Sequence, residues 1–203
     1  PYQADIAISN EKIVEIGDIK GKAKKVIDAE GKIVTPGFVD IHTHYDGQVT
    51  WDPYLRPSTY HGVTTVVMGN CGVGFSPCKP DQRDWLIGLM EGVEDIPGTA
   101  LHEGIDWEWE SFPEYLDALE KKPLAIDVGT QIPHGAVRAY VMGERGINHE
   151  EASQEEIDRM KEIVQEAIKA GAFGFSTSRT EKHNDVNGNL TPVSYTHLRA
   201  HET

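Results

Sequence analysis

From Phe38 onward, short β-branched or apolar runs alternate with stretches of helical periodicity, and this alternation narrows the possible folds more than any other feature of the chain. The run FVDIHTH at 38–44 and the run TTVVM at 64–68 have strand character; the second is apolar enough for a strand buried on both faces. A helix is expected over 81–90, with Trp85, Leu86, Leu89 and Met90 on one face and Gly92 and Pro97 closing it. Ser111 and Glu114 have the spacing of a capping box ahead of Tyr115, Leu116 and Leu119, and a strand is expected at 124–129. Ser153 and Glu156 form a second box before the stripe Ile157, Met160, Ile163, Val164, Ala167 and Ile168. Gly171 stops that helix, and a strand follows at 172–176. Strand and helix in alternation imply an α/β fold with a mostly parallel sheet. Residues 4–35 differ: the bursts ADIAIS, KIVEIG and KIVT, separated by turn-forming pairs, predict a small antiparallel β element. The change at Thr35-Pro36-Gly37 sets an expected boundary, 1–36 against 37–192.

The sharpest chemical feature is His42-x-His44 at the end of the first strand of the α/β part. A two-residue step in an extended chain puts both imidazoles on one side, with Asp40 on that side too and Val39, Ile41 and Thr43 on the other. Such a pair can grip one metal ion; the alternative is two polar histidines in a strand-end loop. Asp40 and Asp46, two residues before and after the pair, could each orient an imidazole through its second nitrogen or serve as ordinary turn residues. Cys71 follows the next strand in Gly69-Asn70-Cys71-Gly72, where a thiolate can meet a ligand and where a small buried filler would also sit. Two imidazoles and a thiolate suit zinc, whereas calcium and magnesium prefer oxygen ligands. Cys78 reads as core filler.

Several other signals carry less. GNCGVG lacks both the dinucleotide-binding spacing and the Lys-Ser or Lys-Thr of a phosphate loop. Trp107 and Trp109, alternating with acidic residues, either line an aromatic wall or seat a loop on the core, and the seat is the expectation. His134 and the stretch from Ser176 to Arg179 follow expected strands and read as pocket wall. With 19 Lys and Arg against 33 Asp and Glu, the net charge of −14 repels nucleic-acid backbones and anionic membranes, so neither is an expected partner. No stretch approaches the roughly 20 apolar residues of a membrane span. Two cysteines make no disulfide framework, which fits a reducing, cytoplasmic setting.

Taken together, KIVTPGFVDIHTHYDGQVTWDP, PSTYHGVTTVVMGNCGVGFSPC and GAFGFSTSRT resemble the D-aminoacylase or N-acyl-D-amino-acid deacylase branch of the amidohydrolase superfamily. PGFVDxHxH marks the superfamily, and GNCGVG after TTVV marks the branch. The resemblance covers most of residues 4–192. It implies an α/β fold: part of a metal-dependent (β/α)8 TIM barrel of amidohydrolase type, preceded by part of a small β-sandwich built from both chain ends. It assigns His42, His44 and Cys71 as metal ligands, with Cys71 standing where other branches use an acidic or modified-lysine bridge. The implied cofactor is Zn2+, one ion held tightly by the cysteine and two later histidines, and a second, weaker position at the histidine pair. The implied activity is hydrolysis of the amide bond of a small-molecule substrate, an N-acyl-D-amino acid.

The resemblance leaves the catalytic residues unknown, because the late aspartate and the substrate-carboxylate-binding groups of the family belong after residue 192. A complete barrel needs about 250 residues, so this chain, with no initiator Met, is expected to be the front part of a larger enzyme, inactive alone. His183 is a candidate match for a histidine-bearing loop. Residues 193–203 do not continue the family pattern, resemble translated adapter sequence, and are expected to be artefactual or disordered. The competing readings are an amidohydrolase acting on a cyclic amide or dipeptide, and a non-catalytic metal-binding fragment.

Overall fold

The computed structural model describes residues 2–178, 180 and 182–192, so the tail from 193 lies outside the described residues. The chain divides into two compact units, Pro1–Pro36 and Gly37–Thr203.

The first unit is built on a hairpin. β1 (Asp5–Ser9) pairs antiparallel with β2 (Lys12–Gly17), with Ser9 opposite Lys12. Asn10 and Glu11 make the turn at φ of 49° and 62°; positive φ at both central residues gives a turn whose twist matches that of its strands. The third expected strand, at 32–35, does not form. Ile33 and Val34 are 81% and 60% exposed, and the described residues of this unit offer that segment no strand to pair with.

In the second unit, β3 (Phe38–Asp40) pairs parallel with β4 (Val63–Met68), and β4 with β5 (Asp127–Thr130). β6 (Ile132–Pro133) pairs parallel with β7 (Phe175–Ser176). Gln131 N donates to Met68 O at 2.9 Å, and Phe173 N and Ile132 N bond Thr130 O and Gly174 O. β5 and β6 are therefore one strand path interrupted at Gln131, and the order β3, β4, β5/β6, β7 follows the sequence. Helices fill the crossovers: α1 (Arg83–Glu94), α2 (Gly98–Gly104) and α3 (Phe112–Glu120) before β5, then α4 (His134–Met142), α5 (Glu144–Ile147) and α6 (Gln154–Ala170) before β7. This is the parallel α/β arrangement that the alternation implied.

Several elements depart from expectation, among them the strands expected at 124–129 and 172–176, which form as Asp127–Thr130 and Phe175–Ser176, and the unanticipated α2. β3 ends at Asp40 instead of running to 44, because the Asp40 carboxylate accepts the His42 N–H at 3.2 Å and turns the chain out of the ladder. Simple alternation therefore fails beyond Asp40: Ile41 is 72% exposed and Thr43 is buried, its N–H and hydroxyl both bonding Val67 O. α1 runs through Gly92 to Glu94 and ends at Asp95, at φ 55°. Gly92 serves a close approach: a Cβ there would lie 2.4 Å from Asn184 O, so the missing side chain lets segment 184–186 cross the helix. α4 was not anticipated, since Arg138 breaks its apolar pattern; that side chain is fully buried, its guanidinium donating to the carbonyls of Gly146 and Glu150 around α5. Ile168 is 46% exposed, so the α6 stripe buries Ile163 and Ala167 and stops short of it.

Both capping boxes form, with Ser111 and Ser153 hydroxyls accepting from the backbone of Glu114 and Glu156, whose carboxylates return to the cap N–H. Trp109 is 3% exposed and donates from Nε1 to Phe75 O at 2.8 Å; with Phe75, Phe112 and Tyr115 it forms the aromatic core that seats its loop. Leu86, Leu89 and Met90 of α1 and Val66 and Met68 of β4 complete the centre of the core. No helix among the described residues is long and apolar enough to cross a membrane.

Backbone N–H bonds to the carboxylates hold Glu114 and Glu156 below the usual range. Their stabilisation is full above the unfolded glutamate pKa and is lost as pH falls through the depressed folded values. Ser153→Ala should lower unfolding stability by about 1 kcal/mol. Glu114→Gln should flatten the acid limb of the stability profile, read by denaturant unfolding at a series of pH values.

Candidate metal centre

The ends of β3 and β4 lie side by side, so the residues that follow each strand meet. His42 Nε2 is 3.2 Å from Cys71 Sγ, and the His42 and His44 rings are 5.4 Å apart at 57°. One ligand atom from each of His42, His44 and Cys71 lies within 4.8 Å of the others. The structure thus brings together the three residues singled out from the sequence.

The turn that carries Cys71 is tightly constrained. Gly69 has φ 74°, and a Cβ on it would lie 2.0 Å from Gln131 O, so only glycine admits this approach. Cys71 itself sits at φ 56°, a left-handed conformation uncommon for a residue with a side chain. Asn70 is buried and uses its whole amide: Nδ2 donates to Thr43 O at 3.2 Å and Val67 O at 2.9 Å, while Oδ1 accepts from Gln131 Nε2 at 2.8 Å. Thr43 lies between the two histidines, so Asn70 joins the cysteine turn directly to the histidine segment. The glycines of GNCG shape a turn around a thiol.

The surroundings penalise charge. His44 falls to about 4, chiefly through burial, with the charges of His42 and His183 adding to it. Burial also raises Cys71, with Glu94 and Asp46 contributing, and pushes Asp46 up to about 7. Two buried atoms, His44 Nδ1 and Asp46 Oδ2, have no hydrogen-bond partner. A neutral His44 imidazole, a thiol and unpartnered buried polar atoms are the chemistry that a dication satisfies. Two imidazoles and a thiol whose ligand atoms lie within 4.8 Å of one another are a donor set that suits a borderline dication such as zinc. The residues therefore fit a metal of zinc type.

Of the two roles open to Asp40 and Asp46, neither residue is shown orienting an imidazole, and Asp40 takes that of a turn residue. Asp40 caps the His42 N–H, and Asp46 is held by backbone N–H groups of its own residue and Gly69. The carboxylate that reaches a histidine is Glu94, with Oε1 3.2 Å from His44 Nε2. The contact is not an ion pair: burial raises Glu94 while lowering His44, so the imidazole is largely neutral wherever the carboxylate is charged. Glu94 escaped the sequence reading because α1 was expected to stop at Gly92. His183 also belongs here. Its Nδ1 lies 3.3 Å from Ser178 Oγ, and burial followed by the His42 charge lowers its pKa. His134 instead pairs with Thr177 through Nδ1 at 3.0 Å.

A profile described as the Amidohydrolase family matches residues 25–196. D-aminoacylase of Alcaligenes xylosoxydans xylosoxydans is 35% identical over 176 residues, which are 86% of this chain and 34% of that protein. N-acyl-D-aspartate deacylase of the same organism is 34% identical over 176 residues, covering 86% of this chain and 32% of its own length. Among solved structures, N-acyl-D-glutamate deacylase from Bordetella bronchiseptica, complexed with zinc and a phosphonate mimic of the reaction's tetrahedral intermediate, superposes with a TM-score of 0.71 at 32% identity. That match covers 86% of this chain and 34% of the other. The chain spans about a third of the length of these relatives. It belongs to the amidohydrolase superfamily, in the branch that holds the D-aminoacylases and N-acyl-D-amino-acid deacylases.

Proposed function

We propose that this chain is the N-terminal part of a zinc-dependent hydrolase that cleaves the amide bond of N-acyl-D-amino acids. The convergence of His42, His44 and Cys71 at the ends of two adjacent parallel strands carries the reading. In it, residues 1–36 belong to a small β-sandwich and 37–192 form the first half of a (β/α)8 barrel, with β3, β4, β5/β6 and β7 as its first four strands. Sites of such barrels gather at the C-terminal ends of the strands, where these three side chains stand. The substrate is a small molecule met in the cytoplasm.

Cys71 would supply a thiolate to a tightly held Zn2+, and His42 and His44 would supply neutral imidazole nitrogens to the second, weaker metal position beside it. The bound ion would supply Lewis-acid polarisation of the acyl carbonyl and a lowered pKa for the attacking water. The protein's own part is to hold those three donors in register and to keep His44 unprotonated, with His42 left open to solvent. Glu94 and Asp46 add negative charge that favours a cation whenever they ionise.

Cys71→Ala in the complete protein should abolish tightly held zinc and most turnover; unchanged zinc stoichiometry by elemental analysis would reject the assignment. Chelation should remove hydrolysis of N-acyl-D-amino acids and added zinc should restore it, with the L-enantiomers poor substrates by amine-release assay. Residues 1–203 alone should bind zinc weakly and turn over nothing; tight stoichiometric zinc with turnover would show the site to be complete within them.

A further inference from the structure

The Cys71 turn has a second attachment, made by a side chain far away in sequence. Ser176 Oγ accepts the Gly72 N–H at 3.0 Å and donates to Gly69 O, partners 104 and 107 residues away along the chain. One hydroxyl therefore closes both ends of the turn 69–72, inside which Cys71 holds its left-handed backbone. Ser176 is 9% exposed, and β7 fixes its height by pairing it with Pro133 of β6. Two carbonyls of the turn also accept, from Val73 N on Asn70 O at 3.0 Å and from Gly135 N on Gly72 O at 2.9 Å.

We propose that Ser176 is a positioning residue for the metal-ligating thiolate of Cys71, a role that rests on the zinc reading above. The contact needs one atom that donates to a carbonyl and accepts from an N–H, which a hydroxyl does and a methyl cannot. Asn70 ties the turn to the histidine segment on one side, and Ser176 ties it to β7 on the other. Without the hydroxyl, a buried N–H and a buried C=O lose their partner, and the turn is left to the Asn70 contacts and the Gly135 N–H on Gly72 O. The thiolate then samples positions away from the two imidazoles. Displacements of about 1 Å at such a centre are enough to lower rates strongly.

The test compares Ser176→Ala, Ser176→Thr and Cys71→Ala in the complete protein. Zinc affinity is read by competition with a chromophoric chelator, and thiolate placement by the thiolate-to-cobalt charge-transfer band of the Co2+-substituted protein. Ser176→Ala should weaken zinc binding by about 10–100-fold, the usual effect of losing a group that orients a metal ligand. It should also diminish or shift the band, and lower kcat while KM moves little; Ser176→Thr should stay close to the parent in all three. Thermal unfolding of the metal-free proteins separates loss of the site from loss of the fold. Should Ser176→Ala not fold, Ser176→Thr and Ser176→Val, alike in shape, make the same comparison. Parent affinity and an unchanged band in the variant lacking the hydroxyl, with zinc lost in Cys71→Ala, overturn this inference alone. Zinc retained at full stoichiometry in Cys71→Ala overturns the metal reading beneath it.

Discussion

The contact between Gly69 and Gln131 governs the architecture around the site. β4 must hand its chain into a turn while Gln131, in the break between β5 and β6, presses against the same point, leaving no room for a Cβ. The pinch lets Gln131 reach Asn70, and Asn70 in turn reaches the carbonyl between the two histidines. Each of these hydrogen bonds is worth only about 1 kcal/mol net, but a buried group left without its partner costs about 1–3 kcal/mol. The arrangement is therefore defined less by the strength of any one bond than by the lack of a cheap alternative.

A second constraint is electrostatic. Burial is the leading cause of the shifts at His44, Cys71, Asp46 and Glu94, and every shift favours the uncharged form. Burial lowers the His44 imidazole to about 4 and raises the Asp46 carboxyl to about 7. A cation reverses that preference, because it favours thiolate and carboxylate and competes only with the proton for neutral imidazole.

What could be read from the sequence was local or chemically singular. The boxes at Ser111/Glu114 and Ser153/Glu156 are made within a single turn, so spacing alone reveals them. His42, His44 and Cys71 stood out because imidazole and thiol are scarce and sat at strand ends. The misreadings have the opposite origin. Gly92 looked like a helix stop because the segment crossing it lies some 90 residues later, and with that stop went Glu94. Arg138 hid α4 because its carbonyl partners belong to a neighbouring turn. The run 32–35 looked like a strand but found no described partner, since strand propensity is realised only against an edge. Asp40 turned out to make a local contact, with the N–H two residues on, whereas the Gly69 amide that meets Asp46 comes from a different strand end.

The attachments of the Cys71 turn differ in their distance along the chain. His42 and Cys71 are 29 residues apart and Asn70 reaches Thr43 across 27, whereas Ser176 arrives more than a hundred residues after the turn it closes. In a polypeptide made from its N-terminus, the three donors therefore emerge well before the hydroxyl that pins one of them. An ion captured at that stage would meet a pliable cysteine, and the addition of β7 would then harden the grip. The completion of one parallel strand pair thus fixes the turn that carries Cys71.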